Sequence, residues 1–158
     1  MVSPAEEKMA RLSEKKKKEL AAAALEVRKR AYAPFSGHAV GAALLAEDGS
    51  VFTGCNIENS AYSPTICAER AAFAKAVSEG FREFSAIAVA GGFEEVPEGY
   101  CAPCGVCRQV MAEFCGKDFI ILLVRTPEDR REYTLEEIFP LAFRIEETEG
   151  RPSGEEAP

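Results

Sequence analysis

Two short runs almost without polar side chains, Ser85-Ala-Ile-Ala-Val-Ala90 and Phe119-Ile-Ile-Leu-Leu-Val124, limit this chain more than any other feature. A strand that alternates apolar and polar residues can leave one face in water, whereas a strand apolar throughout needs cover on both faces. Each run follows a segment of helix formers that opens at a cysteine, Cys67 to Glu79 before the first and Cys104 to Cys115 before the second. Upstream, Val40-Gly-Ala-Ala-Leu-Leu45 and Val51-Phe-Thr-Gly-Cys55 flank Glu47-Asp48-Gly49. Asp-Gly between two strand-like runs signals a hairpin.

The remaining elements follow from caps and breakers. Ser3-Pro4-Ala5-Glu6 predicts a helix start with a capping box, and Leu20, Ala24, Val27 and Ala31 give that helix an apolar stripe. It should stop near Tyr32, because Pro34 pushes Ala33 out of the α region. Lys15 to Lys18 read as a solvated helix face with no role. Gly80 closes the first cysteine helix. Pro127-Glu-Asp-Arg130 turns into a short strand near Tyr133, and Thr134-Leu-Glu-Glu137 is a capping box for a short helix that Pro140 ends. After Ile145 the chain is Glu, Gly, Pro and Ser, so one domain is expected over 1–145 with a disordered tail over 146–158. The element order is that of an α/β protein, a three-layer α/β/α sandwich around a mixed five-stranded sheet.

Composition removes several functions. The 158 residues carry a formal charge of −7, which argues against wrapping nucleic-acid phosphates. No apolar run nears the ~20 residues of a membrane-spanning helix, and the N-terminus lacks the apolar stretch of a secretory signal. A cytoplasmic location is expected. At 47% hydrophobic residues the core needs no disulfide staples. Six cysteines in a reducing compartment therefore point to metal or redox chemistry.

Pro103-Cys104-Gly-Val-Cys107 places a C-x₂-C pair at a helix start, where backbone N–H groups favour thiolates. Alone it fits a thioredoxin-like pair or half of a structural zinc knuckle equally well. Cys67-Ala68-Glu69, 37 residues before Cys104, separates these readings. Three thiolates without a fourth protein ligand suit an open tetrahedral zinc that keeps one position for water. Such a zinc lowers the pKa of the water, and Glu69 can move its proton. Cysteine ligands with a non-ligand Glu are the known signature of zinc deaminases. Arg70 and Arg108 adjoin these residues and could offset the excess charge of three thiolates on one Zn²⁺. Cys101, ahead of the helix start, could compete as a ligand, although Cys104 and Cys107 are favoured. Cys55 and Cys115 read as small buried hydrophobes.

With Cys-Ala-Glu-Arg, Pro-Cys-Gly-x-Cys-Arg-Gln and Gly54-Cys-Asn-Ile-Glu-Asn-Ser-Ala-Tyr62 together, the chain closely resembles the small homotetrameric cytidine deaminases from about Ala33 to Phe143. The resemblance implies zinc on Cys67, Cys104 and Cys107, Glu69 as proton shuttle, and a nucleoside substrate converted from cytidine or 2′-deoxycytidine to uridine or 2′-deoxyuridine in pyrimidine salvage. It implies ribose contacts from the segment Asn56-Ile57-Glu58, help from the Ala68 main chain in holding the base, and completion of each site by Tyr62 and Phe143 of neighbouring subunits. One departure stands out. His38, the sole histidine, occupies a place where the family has an aromatic that flanks the base, so an altered base preference is expected. The competing readings are a deaminase of a modified cytosine nucleoside such as blasticidin S, and a non-catalytic zinc or redox protein. The latter two leave Glu69 and Asn56-Ile57-Glu58 without a purpose.

Overall fold

The computed structural model describes residues 12–145. Strand alternation sorts their apolar side chains into two cores on opposite faces of one sheet. The elements are α1 (Glu14–Arg28), β1 (Ala39–Ala46), β2 (Val51–Cys55), α2 (Ala68–Ser78), β3 (Phe84–Gly92), α3 (Gly105–Phe114), β4 (Ile120–Val124), β5 (Arg130–Thr134) and α4 (Leu135–Ile138). The strand order is β2-β1-β3-β4-β5, with β3 and β4 parallel and the other neighbours antiparallel. Val40, Leu44, Ile87, Val89, Ile121 and Leu123 face α2 and α3, where Phe73 and Met111 meet them. Ala43, Ala86, Ala88, Ala90, Ile120 and Leu122 face α1 and its Leu20, Ala21 and Ala24. This is the three-layer α/β/α arrangement that the apolar runs require.

The α1 face is lined by small residues, so the helix sits close to the sheet. A Cβ at Gly41 would lie 2.6 Å from the Arg28 backbone nitrogen and collide with the Ala24 carbonyl. Two expectations about this helix change. It runs from Glu14, with the Ser13 hydroxyl accepting from Lys16 N at 3.2 Å, and the Ser3 capping box lies outside the described residues. It ends at Arg28 rather than near Tyr32, leaving Ala31 beyond it. Tyr32 exchanges helical bonds for pairing with the 56–58 segment: its N–H donates to Asn56 O at 3.0 Å and its carbonyl accepts from Glu58 N at 2.8 Å. The lysines differ too. Lys17 is buried and its ammonium lies 2.8 Å from Glu132 and 3.4 Å from Glu14, clamping α1 to the β5 edge.

The other elements stand close to the expected positions. The β1–β2 hairpin turns through Gly49 at φ +94, and Gly80 follows α2 at φ +95. The Thr134–Glu137 capping box is formed and opens a single turn that closes at Phe139. The sequence after Ile145 lies outside the described residues, as does the expectation of a disordered tail. Among the described residues no helix is long and apolar enough to cross a membrane.

One end of the sheet collects the functional loops. There β2 ends, β1 begins and β3 ends, with Gly41 paired to Cys55 and Ala39 to Gly92. Both cysteine helices start from the loops that leave β2 and β3. Gly54 sets how closely α2 approaches: a Cβ there would stand 2.5 Å from Ala68 O and from Ala72 N, inside the first helical turn. Gly54→Ala should therefore force α2 away from β2 and destabilise the fold by about 1–3 kcal/mol, the usual range for an overpacked site. Urea unfolding measures this, and a midpoint equal to that of the wild type would contradict the close packing.

Candidate metal centre and active site

Cys67 and Cys104 are the N-caps of α2 and α3, and neither uses its side chain for a capping bond. Their sulfurs are left to each other and to Cys107, which is fully buried in the first turn of α3. The three Sγ atoms lie within 4.8 Å of one another, Cys67 and Cys104 at 3.9 Å. The helix N-termini stabilise negative charge at this point. A hydrogen bond from the Cys107 thiol, aided by Arg70, holds Cys67 down at about 5. The same bond, with burial, pushes Cys107 up.

This arrangement fits zinc. Thiolates bound at about 2.3 Å in a tetrahedron are roughly 3.8 Å apart, close to the Cys67–Cys104 separation. Cys101 is not in the group of three. Its half-buried sulfur fills the space above Gly91, where a Cβ would meet it at 2.7 Å, and burial pushes its thiol up to about 11.

Glu69 sits in the first turn of α2 with only 4% of its surface exposed. Burial, together with the negative charge of Cys67, pushes its carboxyl up to about 7. Near neutral pH such a group can both hold and release a proton. Ala68 is fully buried beside it. Arg70 donates to Thr65 O at 3.1 Å and its positive charge favours the Cys67 thiolate, while its buried Nε makes no well-aligned hydrogen bond. The structure brings Arg70 to the sulfurs and turns Arg108 elsewhere. Arg108 donates from Nε to Pro103 O at 2.7 Å and from Nη1 to Ile138 O, fastening the start of α3 to the end of α4. That is a different use from the charge compensation expected of it.

The residues expected to contact a nucleoside stand on loops at this end of the sheet. The Asn56 side chain bridges the start of β1, accepting from Val40 N and donating to His38 O, each at 2.8 Å. An amide has two N–H donors and two lone pairs, so one of each stays available to a hydroxyl. Glu58 accepts from Phe35 N at 2.8 Å, from Ser36 N at 3.2 Å and from the Ser36 hydroxyl, and this last bond leads in holding its carboxyl below the ordinary range. Ile57 joins Tyr32 and Ile66 through backbone bridges. A surface cavity is lined by Phe35, Ser36, Glu58, Asn59, Tyr62 and Thr65. Tyr62 is 78% exposed with a left-handed backbone at φ 59. Phe143 is 71% exposed, its carbonyl accepting from Gln109 of α3 at 2.9 Å. The His38 ring meets Phe93 edge-on, with centroids 4.9 Å apart.

Sequence reading passed over Ser36, Thr65 and Phe93. A Ser two residues after Pro34 is a turn signal that could have been followed to Glu58. Thr65 gives its carbonyl to Arg70 and its hydroxyl to Asn59 N, and only tertiary structure shows either contact. Nothing local marks Phe93, which lies in a loop.

Comparison with known proteins agrees with this geometry. Residues 14–123 match the family described as the cytidine and deoxycytidylate deaminase zinc-binding region. The cytidine deaminase of Sporosarcina psychrophila is 51% identical over 128 residues, covering 81% of this chain and 91% of that protein. That of Halalkalibacterium halodurans is 49% identical over 125 residues, covering 78% and 91%. Among solved structures, the cytidine deaminase from Burkholderia pseudomallei superposes with a TM-score of 0.72 at 44% identity, over 79% of this chain and 97% of that one.

The two arginines can be told apart. Arg70→Gln should weaken zinc retention against a chelator by about tenfold or more, as loss of a partner behind the ligands does. Arg108→Gln should leave zinc retention unchanged and lower stability by roughly 1–3 kcal/mol, because two carbonyls lose their donor. Equal effects on zinc from both variants would contradict the assignment.

Proposed function

This chain belongs to the family of cytidine and deoxycytidylate deaminases, and on that premise we propose how its residues hydrolyse cytidine and 2′-deoxycytidine to uridine and 2′-deoxyuridine. The observation that carries the reading is the meeting of three cysteine sulfurs with a buried carboxyl at two helix N-termini. Cys67, Cys104 and Cys107 would hold the zinc. Bound zinc supplies the Lewis acidity that makes water a nucleophile near neutral pH. Glu69 takes a proton from the attacking water and delivers it to N3 of the pyrimidine as C4 is attacked. It then carries the second proton to the departing amino nitrogen, which leaves as ammonia. Burial keeps Glu69 out of bulk water, so the proton passes between the carboxylate and the substrate.

Asn56 and Glu58 hold the ribose. Glu58 stays ionised on its Ser36 and Phe35 donors, and the free N–H and lone pair of Asn56 meet a hydroxyl that is both donor and acceptor. The Ala68 main chain, next to Cys67 and Glu69, contacts the base, and His38 flanks it. Arg70 offsets the excess negative charge on the sulfurs. Tyr62 and Phe143 present large exposed rings that a lone subunit leaves in water. A homotetramer in which neighbouring subunits supply them completes each site. Acting on free nucleosides, the enzyme serves pyrimidine salvage in the cytoplasm.

An ultraviolet assay of the zinc-loaded protein should show cytidine converted to uridine. Glu69→Ala should reduce turnover by about 10²–10⁴-fold with zinc retained, the range for loss of a general acid–base. Turnover within tenfold of wild type would remove Glu69 from that role. Wild-type turnover of blasticidin S but not of cytidine would move the reading to modified nucleosides. His38→Phe should change the ratio of kcat/KM between cytidine and its base-substituted analogues, and an unchanged ratio would exclude His38 from base recognition.

A further inference from the structure

Arg28 is 6% exposed, and its guanidinium is surrounded by main-chain carbonyls. It donates to Ala39 O at 2.9 Å, Gly92 O at 2.7 Å, Glu94 O at 2.6 Å and Glu95 O at 2.9 Å. Burying a cation costs desolvation, and these acceptors offset it only while all of them stay in place. The grip therefore fixes two pieces of chain relative to each other, the first residue of β1 and the loop that follows β3. Glu98 holds the same loop through its amides. Its carboxylate accepts from Phe93 N at 3.2 Å and 3.3 Å and from Glu94 N at 3.1 Å. A Cβ on Gly92 would strike that carboxylate.

The side chains set by this grip stand at the end of the sheet, between its two faces. Gly41 and Ala43 in β1 and Ala86, Ala88 and Ala90 in β3 face α1, and alternation places Ala39 and Gly92 with them. Val40, Ile87 and Val89 face the cysteine helices, and Gly91 lies against Cys101. Alternation from Val40 carries this second face on to His38. Phe93 begins the loop and also lines the cavity beside Arg28 and Ala39, so His38 and Phe93 stand at the boundary of the two faces. They follow the Ala39–Gly92 pair in register, and their rings are in edge contact at 4.9 Å. His38 also gives its carbonyl to Asn56.

We propose that Arg28 and Glu98 are positioning residues that grip the 92–98 loop from its carbonyl and amide sides and thereby set the His38–Phe93 pair as the wall against which the pyrimidine rests. This deepens the cytidine deaminase reading and rests on it for the identity of the ligand. Neither Arg28 nor Glu98 touches substrate. Both act through the two rings, so they govern binding and selectivity rather than the proton transfers of Glu69.

His38 is the only histidine, so in tag-free protein its ring C–H signals stand alone in the proton NMR spectrum. Phe93→Ala removes the neighbouring ring and marks the position those signals take without it. Arg28→Lys, which cannot span four carbonyls, and Glu98→Ala should each move the signals most of the way to that position. Glu98→Gln, which keeps an acceptor, should restore them. In zinc-loaded enzyme Arg28→Lys should raise KM for cytidine about tenfold with kcat within about twofold and zinc content unchanged, as expected for a displaced binding wall. In a Phe93→Ala background, Arg28→Lys should add little further.

The proposal is overturned if the His38 signals stay at the wild-type position in both Arg28→Lys and Glu98→Ala, or if Phe93→Ala leaves them unmoved. It is also overturned if the KM effects of Arg28→Lys and Phe93→Ala multiply. Should Arg28→Lys fail to fold, Glu98→Ala and its Gln counterpart decide the matter. Absence of cytidine turnover in the wild type would instead count against the deaminase reading, while the NMR comparison still decides whether the grip sets the ring pair.

Discussion

The structure depends on two helix N-termini being driven to one point. α2 and α3 begin at Cys67 and Cys104, and the 3.9 Å between those sulfurs requires both helix starts to be placed accurately. Each is placed by close backbone packing. Gly54 lets the first turn of α2 press on β2, and Cys101 fills the space left by Gly91 ahead of α3. Two dipoles and their unpaired N–H groups then favour negative charge where thiolates gather. Arg70 adds a full positive charge on the same side. A cluster of three thiolates would otherwise be an unfavourable assembly to bury, and a divalent cation resolves it.

The opposite face of the sheet follows a different rule. Its layer of alanines brings α1 close, and that places Arg28 at the sheet end with its guanidinium among carbonyls rather than carboxylates. The same small-residue packing thus positions both a helix and a cation that organises the loop after β3. The lysine-rich start of α1 is likewise anchored, with Lys17 and Arg130 forming a network with Glu14 and Glu132 across to β5. Packing on this face and the placement of the 92–98 loop therefore have a common origin.

Much of this was legible in the residues alone. The apolar runs of β3 and β4 demanded two covered faces, Asp48-Gly49 marked the hairpin, and the Thr134–Glu137 capping box formed as written. The spacing of Cys67, Glu69, Cys104 and Cys107 carried the chemistry because ligand type and helix position are local properties. What sequence reasoning missed is tertiary. The apolar stripe of α1 runs on to Ala31 in the sequence, and nothing local says that Tyr32 pairs with Asn56 and Glu58 instead. Arg108 sits beside a ligand in sequence, yet its guanidinium faces the carbonyls of Pro103 and Ile138. Lys17 reads as part of a solvated helix face, and only the assembled sheet shows that it is buried, as is Arg28, which no local signal singles out.

The central claim is an open three-cysteine zinc with its fourth position left for water beside Glu69. X-ray absorption at the zinc edge tests it most directly. The account predicts three sulfur neighbours at about 2.3 Å and one oxygen or nitrogen neighbour at about 2.0–2.2 Å. A shell of four sulfurs would bring Cys101 into the site, close the coordination sphere, and contradict the account.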